Sequence, residues 1–208
     1  MKQTIWNLLL ADIGNEIGVA ALMGNLQAES GLIPYRVQGD FSSGYSESIS
    51  YTEKVNSGEI SEYDFVHNGP NGGGYGLAQW TFYTRKQGLY DMYKSGYSSI
   101  GDVNLACAYL LYELKNDYSD VYSTLKSATS IRVASDKVLH DFESPADQSA
   151  EVEVLRAQMG TNIYEELTGT SGGGSGDSGD SGDSTGSIKK RKGYNFILFN
   201  RRRKLRNG

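Results

Sequence analysis

The sequence predicts a mainly α fold: a helical domain carrying one small glycine-rich β-hairpin, an α+β arrangement. Apolar residues recur near helical spacing in segments spread between residues 2 and 167, bounded by capping residues, glycines and prolines. Residues 72–80 alone combine dense glycine with aromatic and amide side chains, as a tight turn between extended arms does. At 208 residues the chain is long enough for one sizeable core, with no clear sign of a second.

Taken in order, a short helix is expected over residues 2–11 and a second over 15–30. Asp12 or Asn15 can cap the second, Ile17, Ala20, Ala21 and Leu26 give it an apolar run, and Gly31 and Pro34 end it. Residues 35–74 read as a long polar and aromatic connection with Tyr35, Phe41, Tyr45, Tyr51, Tyr63 and Phe65. A structureless loop of that length is unusual, so short helical turns are expected at 52–55 and 61–66. The hairpin follows, then helices near 84–95, 102–116, 119–128, 131–142 and 146–167. Ser144-Pro145-Ala146-Asp147 reads as an N-cap, a proline at N1 and an acid at N3 of the last.

The chemistry centres on Glu29 in Gly24-Asn25-Leu26-Gln27-Ala28-Glu29-Ser30-Gly31. The glycine and the proline beyond it put Glu29 in the final helical turn. There the negative end of the macrodipole and burial among Leu22, Met23 and Leu26 both disfavour a carboxylate. A general acid working near neutral pH needs such an environment. The second motif is Gly74-Tyr75-Gly76-Leu77-Ala78-Gln79-Trp80-Thr81. Its glycines permit positive φ and close backbone approach. Tyr75, Gln79, Trp80 and Thr81 add flat faces, donors and acceptors suited to a sugar. Together the motifs suit a polysaccharide-cleaving site in which one carboxyl group protonates a glycosidic oxygen.

These two motifs resemble those of the phage tail-type lysozyme family. They are more distantly similar to goose-type lysozymes and lytic transglycosylases, which share a Glu-Ser followed by a Gly-Leu-x-Gln. The likeness continues through Tyr83-Thr84-Arg85-Lys86-Gln87, Ser99-Ile100-Gly101-Asp102, Leu110-Leu111-Tyr112-Glu113-Leu114 and Asp141-Phe142-Glu143-Ser144-Pro145-Ala146-Asp147-Gln148, and covers roughly residues 5 to 167. The resemblance implies a lysozyme-like fold and cleavage of the peptidoglycan glycan strand, with Glu29 as the general acid. It leaves open a lytic transglycosylase of a secretion or conjugation apparatus giving 1,6-anhydro products, and a noncatalytic glycan-binding or structural tail module.

A hydrolase needs a second carboxylate, at about 5–5.5 Å from the acid for retention or about 6.5–9.5 Å for inversion. Asp40 is the first candidate, since the chain can return along the cleft beyond Pro34; Glu53 and Asp64 follow. Ser30 can orient Glu29 or bind an acetamido group, and Gln79 stands where the related families line the cleft with a glutamine. Tyr75 and Trp80 can stack on sugar faces, although Trp80 equally suits a core. Arg85 and Glu143 read as a structural ion pair, and Tyr109 and Tyr112 chiefly as helix packing.

Charge and composition narrow the partners. Residues 1–170 carry 11 Lys/Arg and 22 Asp/Glu, whereas residues 188–208 carry nine Lys/Arg and no acid. The acidic body argues against nucleic acid as its ligand. Cys107 is the one cysteine and lies in an apolar helical stretch; with His67 and His140 the only histidines, neither a zinc site nor a cysteine peptidase is supported. No metal or cofactor is expected, and residues 1–168 read as a monomeric catalytic domain. Residues 169–187, with Ser-Gly-Asp repeated three times from Ser175 to Asp183, read as a flexible linker, and 188–208 as a basic tail or a connector to a further domain. The tail offers attraction to anionic wall polymer or to other tail components. The apolar run that begins at Ile5 is broken by Asp12 without a good cleavage site, so no secretory signal is read there. No stretch is long enough to span a membrane. Action outside the cell, on a virion tail or at the bacterial wall, is then expected through virion assembly, lysis or loss of a longer natural N-terminus.

Overall fold

A computed structural model describes residues 1–70 and 73–170; the expected linker beyond residue 170 and the basic tail lie outside them. The architecture is helical: α1 (Lys2–Ile13), α2 (Glu16–Ser30), α3 (Ser46–Ser57), α4 (Tyr83–Lys94), α5 (Val103–Asn116), α6 (Ser119–Lys126), α7 (Ile131–Lys137) and α8 (Ala150–Thr168). Short π-helical turns occupy Asp64–Asn68 and Val138–Glu143.

Helix α2 is the centre of the molecule. Val19, Ala20, Ala21, Leu22, Met23 and Leu26 are enclosed on all sides, the pattern of a helix surrounded by others rather than lying on a surface. It packs chiefly on α8 and α7, and also on α1 and α6. Asn15 caps its start: the side-chain oxygen accepts from Gly18 N–H, and the amide donates to the Lys126 and Ala128 carbonyls. Asp12 does not cap α2. It lies in α1, paired with Lys115 and accepting from the Tyr122 hydroxyl.

The expected hairpin is not a hairpin. Among the described residues there is no strand, only isolated bridges between Val37 and Tyr75 and between Tyr75 and Trp80. Tyr75 and Trp80 exchange backbone hydrogen bonds of 3.1 and 2.9 Å around a four-residue turn. Gln38 N–H donates to Gly74 O and Gly76 N–H to Arg36 O, which fastens residues 36–38 to this turn.

Two other expectations change. Residues 46–57 form a full helix, not one short turn. The last helix starts at Ala150 behind Ser149, because Ser144 takes φ 41° at the end of the π-helical turn and Pro145 therefore does not begin a helix.

Candidate active site

Glu29 lies in the last turn of α2, as the sequence predicts. Gly31 adopts φ 68° and donates its N–H to the Gln27 carbonyl, closing the helix there. The Glu29 side chain is 14% exposed, and Arg156 Nη2 donates to its Oε1 at 2.6 Å. Arg156 comes from α8, is itself buried, and also donates through Nη1 to Asn25 Oδ1 at 3.3 Å. Asn25 in turn donates to the Ala21 carbonyl and to the carbonyl and hydroxyl of Ser135 on α7. The acid is thus held by a buried polar chain through three helices. Its Oε2 accepts no hydrogen bond among the described residues.

Glycines make this contact possible. A Cβ on Gly24 would stand 2.5 Å from both Arg156 O and Gly160 N, and one on Gly160 would stand 2.8 Å from Ala20 O. The backbones of α2 and α8 therefore cross with no side chain between them. Arg156, one turn before Gly160, is carried against Asn25 and Glu29. Neither Arg156 nor Asn25 stands out as a functional residue in the sequence. The available signal was a charged residue on the buried stripe Arg156, Gly160, Ile163 of α8.

The second motif packs against the chain leaving α2, but most of its side chains face inward. Tyr75 and Trp80 are fully buried, so their expected stacking on sugar is corrected: no sugar face can reach either ring. The Tyr75 hydroxyl is 2.8 Å from Thr52 Oγ1, and Trp80 Nε1 donates to Glu113 Oε2 at 2.7 Å. Both rings satisfy their polar atoms inside the core. Gln79 is half-buried at φ 48°, and its amide donates to the carbonyls of Arg36 and Gly76 at 3.0 and 2.9 Å. Its Oε1 receives no donor among the described residues. Thr81 donates its hydroxyl to Gln79 O. Ser30 is buried, and its hydroxyl returns to the Leu26 carbonyl rather than to Glu29.

Asp40, the first candidate for a second carboxylate, has both carboxylate oxygens engaged within the fold. It is fully buried, and each carboxylate oxygen is bonded on one side: Oδ1 accepts from Ser42 N–H and Oγ, Oδ2 from Ser48 N–H and Oγ. Burial pushes its pKa up, but these hydrogen bonds outweigh it and hold the group at about 2. Glu53 is exposed on α3, which is not among the principal neighbours of α2. Asp64 is exposed and accepts from Ser61 Oγ and Asn68 Nδ2.

Arg36 likewise carries no functional signal in the sequence. It is 7% exposed, and its Nη1 is buried without a hydrogen-bond partner. No carboxylate pairs with it among the described residues; its guanidinium lies 4.3 Å from the centre of the Tyr45 ring. Such a cation–π contact is worth about 0.5–2 kcal/mol. Desolvating a charge costs several kcal/mol per ion, so the ring alone does not offset burial. The backbone around it is also strained. Leu32, Tyr45 and Gln79, at φ 62°, 59° and 48°, all occupy the left-handed region that L side chains avoid, at a cost of about 1–3 kcal/mol each.

Away from these loops the remaining polar groups read as structure. Arg85 forms a two-pronged ion pair with Glu113 at 2.6 and 2.8 Å, the Glu143 charge also favours its protonated form, and Tyr109 donates to Arg85 O. Tyr109 is buried and Tyr112 half exposed, stacked on one another. Cys107 is buried, which pushes its thiol up to about 12. Among the described residues no cluster of His, Cys, Asp or Glu is arranged to hold a metal. A shallow depression between α6 and α7, lined by Thr124, Ser127, Ser130 and Val133, opens at the Asn15 end of α2. At 1.5 Å per residue that is about 20 Å along the helix from Glu29.

A family model described as phage tail lysozyme matches residues 1–167. No curated protein and no solved structure matches the chain. Among the described residues no helix is long and apolar enough to cross a membrane.

Proposed function

The chain belongs to the phage tail lysozyme family, and from that membership we propose that it cleaves the β-1,4 bond between N-acetylmuramic acid and N-acetylglucosamine, with Glu29 as general acid. The family makes it a lysozyme-like cell-wall hydrolase acting outside the cell or on a virion. The finer reading is a tail-associated lysin that opens the wall locally. Tail association rests on that membership, and the role of Glu29 rests on one observation: a carboxyl group at the closed end of the central helix, gripped on Oε1 by Arg156 and unengaged on Oε2 among the described residues. Oε2 would carry the proton to the glycosidic oxygen as that oxygen leaves the anomeric carbon. The bond to Arg156 keeps the carboxyl from turning during the transfer, and positive charge developing on the sugar ring is met by the carboxylate left behind.

A lytic transglycosylase is the second reading, and the burial of Asp40 favours it. Asp40, the leading second carboxylate, is engaged by Ser42 and Ser48. A single acid suffices when the substrate's own 6-hydroxyl closes onto the sugar, with Glu29 then accepting that hydroxyl's proton.

Glu29→Gln keeps size and the Arg156 contact but removes the transferable proton. Clearing of a peptidoglycan suspension should fall by at least about 10²-fold while wall binding persists; unchanged clearing would remove Glu29 from the chemistry. Mass spectrometry of the released muropeptides separates hydrolysis from transglycosylation, since the anhydro product is lighter by one water.

A further inference from the structure

We propose that Arg36, covered by the Tyr45 ring and with its main chain held by the Gln79 carboxamide, forms a receptor for a carboxylate carried by the glycan strand. Arg36 is more than nine-tenths buried, its Nη1 has no partner, and no acid of the described fold answers its charge. A guanidinium without a counter-ion lacks an anion, and carboxylate is the group that its planar fork matches. Its surroundings are built rather than loose. Gln79 fixes the Arg36 main chain by donating to its carbonyl at 3.0 Å, and Gly76 N–H donates to the same atom at 2.8 Å. Tyr45 is held over the guanidinium at the cost of a left-handed backbone at the start of α3. Gln79 meets the same cost at φ 48°. Strain of this kind at the residues that enclose one unanswered charge points to a binding role.

The location suits the substrate. Arg36 lies on the segment that leaves α2 directly after Glu29 and is bonded to the loop carrying Gln79. If the glycan strand crosses Glu29, which this inference takes from the proposed function, the groups hanging from muramic acid are its carboxylates. These are the free lactyl carboxylate of an unsubstituted residue, or a carboxylate of the attached peptide. Both offer the same two oxygens to Arg36. The receptor would favour the muramic acid side of the strand over a neutral polymer of N-acetylglucosamine. It would thereby set which sugar occupies which side of Glu29.

The test titrates the full chain, followed by NMR, with N-acetylmuramic acid, with muramyl dipeptide, and with the methyl ester of each. The acid of at least one pair should bind about tenfold or more tightly than its ester, as a charge-assisted bond provides, and should shift the Gln79 side-chain amide. Whichever pair discriminates names the source of the carboxylate. Arg36→Met should abolish the difference without lowering the melting temperature, since replacing an unanswered buried charge by an apolar chain of similar length removes a desolvation cost. Acids that bind no better than esters, or discrimination that survives in Arg36→Met, would overturn the receptor. Should Arg36→Met not fold, the wild-type titration still decides: shifts confined to residues other than Gln79 and its neighbours overturn it. Clearing of peptidoglycan is followed separately on the same samples. Clearing without discrimination removes the receptor alone, whereas discrimination without clearing removes the proposed hydrolase and leaves the receptor.

Discussion

Asp40 reached its role through its neighbours, two serines within eight residues that each supply an N–H and a hydroxyl. Since its folded pKa of about 2 lies below the unfolded 3.8, its stabilisation is present above 3.8 and is lost as the pH falls through 2. Asp40→Asn replaces an acceptor by a donor facing the Ser42 or Ser48 N–H. It should cost about 1–3 kcal/mol at neutral pH, a deficit that narrows as acid protonates the wild-type group. Denaturant unfolding across that range checks the sign. Activity per folded molecule should match wild type, and a specific loss of turnover would return Asp40 to the catalytic set. The sequence carried the relevant sign, an Asp followed by Ser two residues on, as in an Asx-type turn. For Tyr75 and Trp80 it carried none. Their partners, Thr52 and Glu113, are 23 and 33 residues away, and an aromatic side chain with one polar atom looks the same in a cleft or a core.

At the scale of elements, most helices were legible because their apolar periodicity and end signals agree: Asn15 and Gly31 bound α2, and Asp102 opens α5 by accepting from Asn104 and Leu105 N–H. Helix α3 was not. Its buried stripe is Ser48, Thr52 and Val55, so the helical spacing is written mostly in small polar residues that a hydrophobic pattern does not register. The crossing of α2 and α8 was legible only as mid-helix glycines without an assigned purpose. It is the contact that brings Arg156 to Glu29. Gly24→Ala puts a methyl group 2.5 Å from backbone atoms of α8, which cannot swing aside as a side chain would. Overpacking of this kind costs about 1–3 kcal/mol or more, and here it also pushes Arg156 away from the acid. Gly24→Ala should therefore lower both the melting temperature and the clearing rate of the molecules that remain folded. A variant that loses stability but clears at the wild-type rate would show that the Arg156 contact does not serve the acid.

The whole molecule joins an acidic body to a basic end. Residues 1–170 carry a balance of 11 minus 22, or −11, and residues 188–208 carry nine positive charges with no acid between them. The family match ends at residue 167, and α8 closes at Thr168 with Gly169 at φ 71° donating its N–H to Glu165 O. A helix that finishes on its own glycine cap asks nothing of the chain beyond it. Among the described residues, the buried core and the Glu29 network lie before that point. We therefore expect a chain ending at Gly169 to fold, and to cleave soluble glycan, as the full chain does. The basic segment should matter only where the substrate is an anionic surface that raises the local concentration of enzyme. That attraction is screened as the Debye length shrinks from about 10 Å at 0.1 M salt to about 3 Å at 1 M. On intact walls the shortened protein should be slower at low salt and equal at high salt. A shortened protein that does not fold, or that fails on soluble glycan, would place the basic segment within the catalytic unit; equal rates on walls at every salt concentration would leave it no part in wall attachment.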